Sequence, residues 1–497
     1  MKQIFQSLQN GKTSLEEVPI PSIMEDEILI KTNVSLISAG TEKMLIDFGN
    51  SNFVKKILNN KDKVNQVLDK VKTDGLKPTI KAVNSKLNKS IPMGYSSVGV
   101  IVEVGSKVNN FKIGDRVLTN GYHAEYIKSK INLCCKIPNN IDDSEAVFGI
   151  LGSIALQSIR LLNPTLGENI VVIGCGLIGV LTAQILVANG CNVLITDIDD
   201  NNLNFAKKIG LKTLNTKDEE LIAKSNDFFP DKIVDGVIIA ANSKSNNLIH
   251  YATKAIRKRG KIILLGISGL NLSRDDFYKK EISFQVSSSY GPGRYEKQYE
   301  QKNFDYPVSF VRWTQNRNFM AFLNLISNDK VNIKSLISKE FNIENFSDAY
   351  DFLNNKQKLK LGVLLKYNHV SNIENKNLNL LNIIDKPNKN KNTIGFIGSG
   401  EFASRTLLPE FSQLDLEFVS IGSQNSISSS FLGKKYKFNK IVSDVNEIIN
   451  DKNINTVVIA SRHDSHFKYL IKSMKAEKNI FIEKPLCLDS DQLDEIK

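Results

Sequence analysis

Val171-Val-Ile-Gly174-Cys-Gly176-Leu-Ile-Gly179 is the stretch on which the reading of this chain turns. A β-branched apolar run ends at the first glycine, and an apolar helical pattern begins directly after the second. Gly174 would allow a tight turn, Gly176 would let another group touch the backbone, and Gly179 would let helix and strand pack closely. Leu177 and Ile178 open the helix, where free N–H groups and the helix dipole favour an anion. Asp197, ~20 residues further on, ends the next apolar run, where a carboxylate can hold both hydroxyls of a ribose. Together these residues predict a site for a dinucleotide, NAD rather than NADP, because Asp197 would repel a 2′-phosphate.

Further apolar runs at Asn192–Thr196, Gly236–Ala240 and Lys261–Leu265 alternate with helical segments. That alternation predicts an α/β fold with a doubly wound parallel sheet. Upstream, residues 1–145 have short strand-like runs, among them Glu27–Lys31, Val98–Gly105 and a strand through Gly114-Asp-Arg-Val117. This segment reads as a β-rich domain, with an amphipathic helical insertion at 53–89 in which Val64, Val67, Leu68 and Val71 recur at helical spacing. Residues 341–367, ending in the strand Gly362–Tyr367, read as a return to the first domain. The Asn- and Lys-rich stretch 368–392 reads as a linker, and a second βα pattern fills 393–497, with strands at Thr393–Ile397, Phe418–Ile421, Thr456–Ala460 and Asn479–Glu483.

The balance of 41% hydrophobic and 24% charged residues is that of a globular chain. The net charge of +12 is carried mostly by Lys, and the Lys55–Lys89 segment supplies more than half of it. So local an excess argues against nucleic acid as a partner. No run is long and apolar enough for a stable membrane insertion, and Ala146–Leu162, interrupted by Gly, Ser, Gln and Arg, reads as a buried helix. The five cysteines lack paired spacing, which predicts a reducing, cytoplasmic setting and no metal clamp. A homo-oligomer is expected.

The order of pieces over residues 1–367 resembles the medium-chain dehydrogenase/reductase family, which is alcohol dehydrogenase-like. The resemblance implies a GroES-like catalytic domain, residues 1–145 and 341–367, and an NAD-binding Rossmann domain, residues 146–340. The sequence departs from the zinc members where their metal sits: Gly94-Tyr95-Ser96 replaces Gly-His-Glu, and Ile37-Ser38-Ala39-Gly40-Thr41 replaces the segment with a ligand Cys. Zinc needs about three N, S or O ligands, so no zinc is expected. A proton donor must then polarise the substrate, and Tyr95, His123 and Glu42 are the candidates, Tyr95 first because it stands where a ligand would face the substrate. Arg294, in Ser287-Ser-Ser-Tyr-Gly-Pro-Gly-Arg-Tyr295, and Arg312 offer forked donors suited to a carboxylate or phosphate, which predicts an anionic small-molecule substrate.

Ile394-Gly-Phe-Ile-Gly398-Ser-Gly400-Glu401-Phe402-Ala403 repeats the strand, glycine turn and helix start. With Ile459–His466 and Glu483-Lys484-Pro485 it resembles the N-terminal domain of the glucose–fructose oxidoreductase/inositol dehydrogenase/MocA (Gfo/Idh/MocA) family. The resemblance implies a second NAD(P)-binding Rossmann domain, with Gly398, Gly400, Glu401 and Phe402 at the cofactor and Lys484 near nicotinamide and sugar. Gly422-Ser423-Gln424 has no acid after its strand, so NAD or NADP is expected there. The end at Lys497, soon after Pro485, reads as a truncated second active site. The fused pair resembles two-domain oxidoreductases of surface-polysaccharide metabolism. That implies hydride transfer between nicotinamide and a carbinol or carbonyl, with a quinone- or enone-type reductase and a non-catalytic dinucleotide sensor or scaffold as the alternatives.

Overall fold

The computed structural model describes residues 1–7, 10–50, 90–243, 245, 247–355, 360–368, 377–380, 392–423 and 426–497. The expected helical insertion at 53–89 lies outside the described residues, as does most of the linker.

Two sheets build the first domain. Lys2–Ser7 pairs with Thr13–Glu17 and Ser90–Pro92 in one. The larger has the order Ile337–Asn342, Gly362–Lys366, Glu27–Ile37, Ser97–Val104, Arg116–Thr119, Cys134–Lys136, with Tyr126–Lys130 also on Glu27–Ile37. Gly362–Lys366 does return, pairing antiparallel with register Val363↔Ile37. Two expectations are corrected. The strand read at Gly114 starts at Arg116, because Gly114 has φ +90 and belongs to the preceding turn. The return begins at Ile337 rather than 341, on a strand whose exposed residues give no apolar alternation.

Six parallel strands form the Rossmann sheet, in the order Lys212–Asn215, Asn192–Asp197, Asn169–Ile173, Gly236–Ile239, Lys261–Leu264, Ser283–Val286. Asn169–Ile173 is buried along its whole length, as a central parallel strand covered on both faces must be. The helices Gly149–Leu162 and Leu177–Ala188 pack on each other and on this sheet. Gly149–Leu162 is the expected buried helix, with Ile150, Leu151, Ala155, Leu156 and Ile159 in the core, and it stops where Asn163 turns left-handed at φ 53. Each fully buried Leu or Ile on these helices contributes about 1.5–3 kcal/mol, so the core fixes where the helix N-termini point.

The second Rossmann sheet runs Leu378–Asn379, Lys440–Val442, Leu416–Gly422, Asn392–Ile397, Thr456–Ile459, Asn479–Ile482. All are parallel except Leu378–Asn379, an antiparallel edge inside the stretch read as linker.

Candidate active site

In the first Rossmann sheet the strand order reverses between Asn169–Ile173 and Gly236–Ile239. Ligands of such sheets lie at that switch point, beyond the carboxyl ends of the strands. Gly174 turns the chain there at φ +106, and a Cβ on it would stand 2.7 Å from the Ala241 nitrogen. A Cβ on Gly179 would stand 1.8 Å from the Gly174 carbonyl oxygen, so only glycine lets the helix start this close to the turn. Gly176 differs, because a Cβ on it meets nothing within 4 Å. It opens onto free space at the N-terminus of Leu177–Ala188, where no side chain caps the first N–H groups. Asp197 faces the same turn. Its Oδ2 accepts from the Cys175 N–H at 2.6 Å and its Oδ1 from the Asp199 N–H at 2.9 Å, so the carboxylate is fixed before any ligand arrives. Open space, uncapped amides and an oriented carboxylate fit a dinucleotide's diphosphate and ribose.

Tyr95 sits in the first domain, packed against the core that holds the dinucleotide sheet. Its hydroxyl donates to Ser38 Oγ at 2.7 Å. Burial raises its pKa, against the Ser38 and Thr41 hydroxyls, which lower it, so at neutral pH it is a phenol with a proton to give. Glu42 and His123 lie behind it, 1% and 0% exposed. Glu42 Oε1 accepts from the Ser38 N–H at 2.8 Å and Oε2 from the Tyr350 hydroxyl at 2.6 Å. His123 Nε2 contacts both Glu42 oxygens at 3.2 Å and its Nδ1 meets Ser35 Oγ at 2.7 Å, which shares a hydrogen bond with Tyr367. This corrects the grouping of Glu42 and His123 with Tyr95 as proton donors to substrate: both are enclosed and engaged by protein, and they hold the Ser38 segment from beneath.

Zinc does not fit this cluster. The positions expected of ligands carry Ser38, Ala39 and Tyr95, both His123 nitrogens are engaged, and no group of three or more His, Cys, Asp and Glu among the described residues could hold a metal.

Arg294 and Arg312 were both expected as donors to an anionic substrate, and the structure gives them different partners. Arg294 is held by Glu300 at 2.6 Å and lies over the rings of Tyr290 and Tyr295, so its charge is internally compensated. Arg312 stacks on Trp313. Tyr290 is a site residue the sequence did not single out. It is 3% exposed, and its hydroxyl side lies near Tyr95 and Asn120.

In the second sheet, Gly398 turns at φ +108 with a would-be Cβ 2.4 Å from the Ala460 oxygen, and Gly400 is open, as at the first site. Glu401 and Phe402 begin the helix, with Phe402 50% exposed, and Ala403 is buried in the third glycine's position. Where an acid would follow the next strand, Ser423 shares hydrogen bonds of 2.8 Å with Ser399 and with Ser429. Lys484 is exposed beyond the strand Asn479–Ile482. Buried His466 ties its turn to the neighbouring strand end, reaching the carbonyls of Pro485 at 2.8 Å and Ser461 at 3.1 Å. The His466 position is visible in the Ile459–His466 motif, but its tethering role is not.

Three family models match the chain: an alcohol dehydrogenase GroES-like domain over 64–160, a zinc-binding dehydrogenase over 178–302, and an NAD-binding Rossmann fold of an oxidoreductase family (Gfo/Idh/MocA) over 392–497. L-Threonine 3-dehydrogenase of Marinomonas sp. (strain MWYL1) is 29% identical over 42% of this chain and 71% of its own. Sorbitol dehydrogenase 1 of Saccharomyces cerevisiae is 25% identical over 54% of this chain and 79% of its own. Among solved structures, galactitol-1-phosphate dehydrogenase from Escherichia coli superposes with a TM-score of 0.56 at 18% identity, covering 74% of this chain and 100% of that one. At that identity the likeness is one of fold.

Proposed function

We propose that this chain, a medium-chain dehydrogenase/reductase module fused to a Gfo/Idh/MocA-type NAD-binding Rossmann domain, moves hydride between nicotinamide and a CH–OH or C=O carbon at its first site, without zinc. The observation that carries the reading is the Asp197 carboxylate, fixed by the Cys175 amide at 2.6 Å beside the open space at Gly176.

Nicotinamide, when bound, would supply or accept the hydride. The uncapped amides at Gly176 and Leu177 would hold the diphosphate, and Asp197 would take the ribose hydroxyls and repel a 2′-phosphate, which would favour NAD. As a carbonyl oxygen gains negative charge, Tyr95 gives it the phenolic proton and becomes a phenolate, and in the oxidative direction that phenolate takes the proton back from the alcohol. Ser38 orients the Tyr95 hydroxyl and Glu42 holds Ser38 through its N–H.

The zinc-free reading is supported by Ser38, Ala39 and Tyr95 in place of ligands. Sorbitol, the substrate named for one relative, supports a polyol-like substrate, and Arg312 supports one that carries negative charge, as a sugar of surface-polysaccharide metabolism would. At the second site, the Ser399, Ser423 and Ser429 hydroxyls in place of an acid support acceptance of NADP as well as NAD.

The test is a titration of the full chain with NADH, alongside metal analysis of the purified protein. Saturable NADH binding in which one of the two sites weakens at least tenfold in Asp197→Ala, with substoichiometric zinc, is the expected result. Failure to bind NADH overturns the oxidoreductase reading, and one zinc per chain overturns the zinc-free one.

A further inference from the structure

Trp313 is the chain's single tryptophan, and two cations stack on it. The guanidinium carbon of Arg160 lies 3.3 Å from the indole ring centre and that of Arg312 lies 3.8 Å from it. Two planar cations that near one ring centre cannot share a face. They occupy opposite faces, and their carbons are no more than about 7 Å apart.

Such a pair is electrostatically uncomfortable, and the protein does not relieve it. Arg116, Arg257, Arg259, Arg294 and Arg317 each meet a carboxylate at 2.5–2.7 Å. Arg160 and Arg312 have no carboxylate within ion-pair distance among the described residues. Burial, and then the charge of Arg312, push the Arg160 guanidinium down to about 10, which still leaves it charged at neutral pH. Arg160 spends only its Nε–H on protein, donating to Asn318 Oδ1 at 2.8 Å. Its terminal NH2 groups and the whole Arg312 fork remain for something else.

The pair is tethered to the loop that carries Tyr290. Asn318, fully buried, accepts from Arg160 and donates through Nδ2 to the Tyr290 carbonyl at 3.0 Å. Next to Tyr290, a Cβ on Gly291 would stand 2.5 Å from Gln157 Oε1 and 3.1 Å from Asn318 Nδ2, so the loop is pressed against the helix that carries Arg160. Two hydrogen bonds therefore separate Arg160 from the loop whose Tyr290 neighbours Tyr95.

We propose that Arg160 and Arg312, clamped on the two faces of Trp313, bind a phosphate-type oxyanion. Each guanidinium presents two parallel N–H donors that match two oxygens of one phosphoryl group. Stacking on the indole pre-orients both forks, so little side-chain freedom is lost on binding. A tetrahedral anion at the indole edge can take donors from both sides across this spacing, whereas a lone planar carboxylate fills one fork. The phosphoryl group could belong to the substrate of the first site or to free phosphate. The binding claim stands independently of the oxidoreductase reading, and only assignment to a substrate rests on it.

Trp313, as the sole indole, reports directly. The full chain is titrated with inorganic phosphate and with pyrophosphate at constant ionic strength, following tryptophan emission and heat. A saturable response is expected, absent with matched sodium chloride and shifted at least tenfold to higher concentration in both Arg160→Gln and Arg312→Gln. NADH affinity should stay unchanged in Arg312→Gln, which shows that the variant is folded and separates this result from failure of the dinucleotide site. A wild-type response no different from chloride, or wild-type phosphate affinity in a folded Arg312→Gln, overturns the proposal. A parallel titration with glucose 6-phosphate distinguishes the sources. Tenfold tighter binding than inorganic phosphate points to a phosphorylated substrate, and equal binding points to free phosphate.

Discussion

Adding one methyl group at Gly176 or at Gly179 should have sharply different consequences, although the two glycines lie in the same turn. In Gly179→Ala the new Cβ would start 1.8 Å from the Gly174 oxygen, so helix and turn must separate by roughly 1.2 Å merely to reach the 3.0 Å that real Cβ atoms respect. The helix that must move buries Val180, Leu181, Ala183, Ile185 and Leu186. Overpacking of this kind costs about 1–3 kcal/mol, or a Tm lower by roughly 2–10 °C for a domain of this size. The displaced amides should also lose a charge-assisted hydrogen bond to the diphosphate, worth ~1.5–3 kcal/mol, so NADH affinity falls roughly 10- to 100-fold. In Gly176→Ala the methyl group meets no protein atom within 4 Å, and φ is an ordinary −75. Its Tm should match the wild type, while the methyl group occupies the diphosphate's approach and NADH affinity falls by a similar factor. Differential scanning fluorimetry and NADH titration on both variants decide the matter. A Gly176→Ala chain that binds NADH like the wild type would refute the assignment of that space to the diphosphate.

Tyr95→Phe keeps the ring's packing and removes the transferable proton, so turnover should fall by about 10²–10⁴ with Tm little changed. Because burial holds Tyr95 above its ordinary value, carbonyl reduction should show no Tyr95-dependent loss from pH 6 to pH 9, and an inflection there that vanishes in Tyr95→Phe would contradict its role. Glu42→Ala strands the Ser38 N–H, the Tyr350 hydroxyl and His123 in the interior, which should destabilise the first module by on the order of 3–5 kcal/mol. An unchanged thermal transition would argue against that network. Burial pushes the thiols of Cys134 to about 11 and of Cys135 and Cys175 to about 12. At pH 8 iodoacetamide should therefore label Cys487 well before these three in the native chain, as read by peptide mass spectrometry.

Features that are local in sequence were legible there. The strand from Asn169 to Ile173, the three glycines after it and Asp197 all report through nearest-neighbour pattern, and the structure assembles them at one switch point. Pairings that span the chain were not legible. Glu42 meets His123 across 81 residues and Tyr350 across 308, and nothing in the periodicity of any segment announces such contacts. Arg294 and Arg312 look equivalent in the sequence, as forked donors in one Tyr- and Arg-bearing stretch. Glu300, six residues along, compensates Arg294, while the partner of Arg312 across the indole is Arg160, on a helix far upstream. Ile337–Asn342 escaped notice as a strand because it is an edge whose burial pattern lacks an apolar face.

The most direct test of the account is the stoichiometry of nicotinamide nucleotide bound by the full chain at saturation, measured by equilibrium dialysis with NADH for the wild type and for Asp197→Ala. Two glycine turns with open positions at Gly176 and Gly400 predict two bound per chain, and loss of the Asp197 site leaves one. A wild-type chain that retains its thermal transition yet binds none would contradict the central claim.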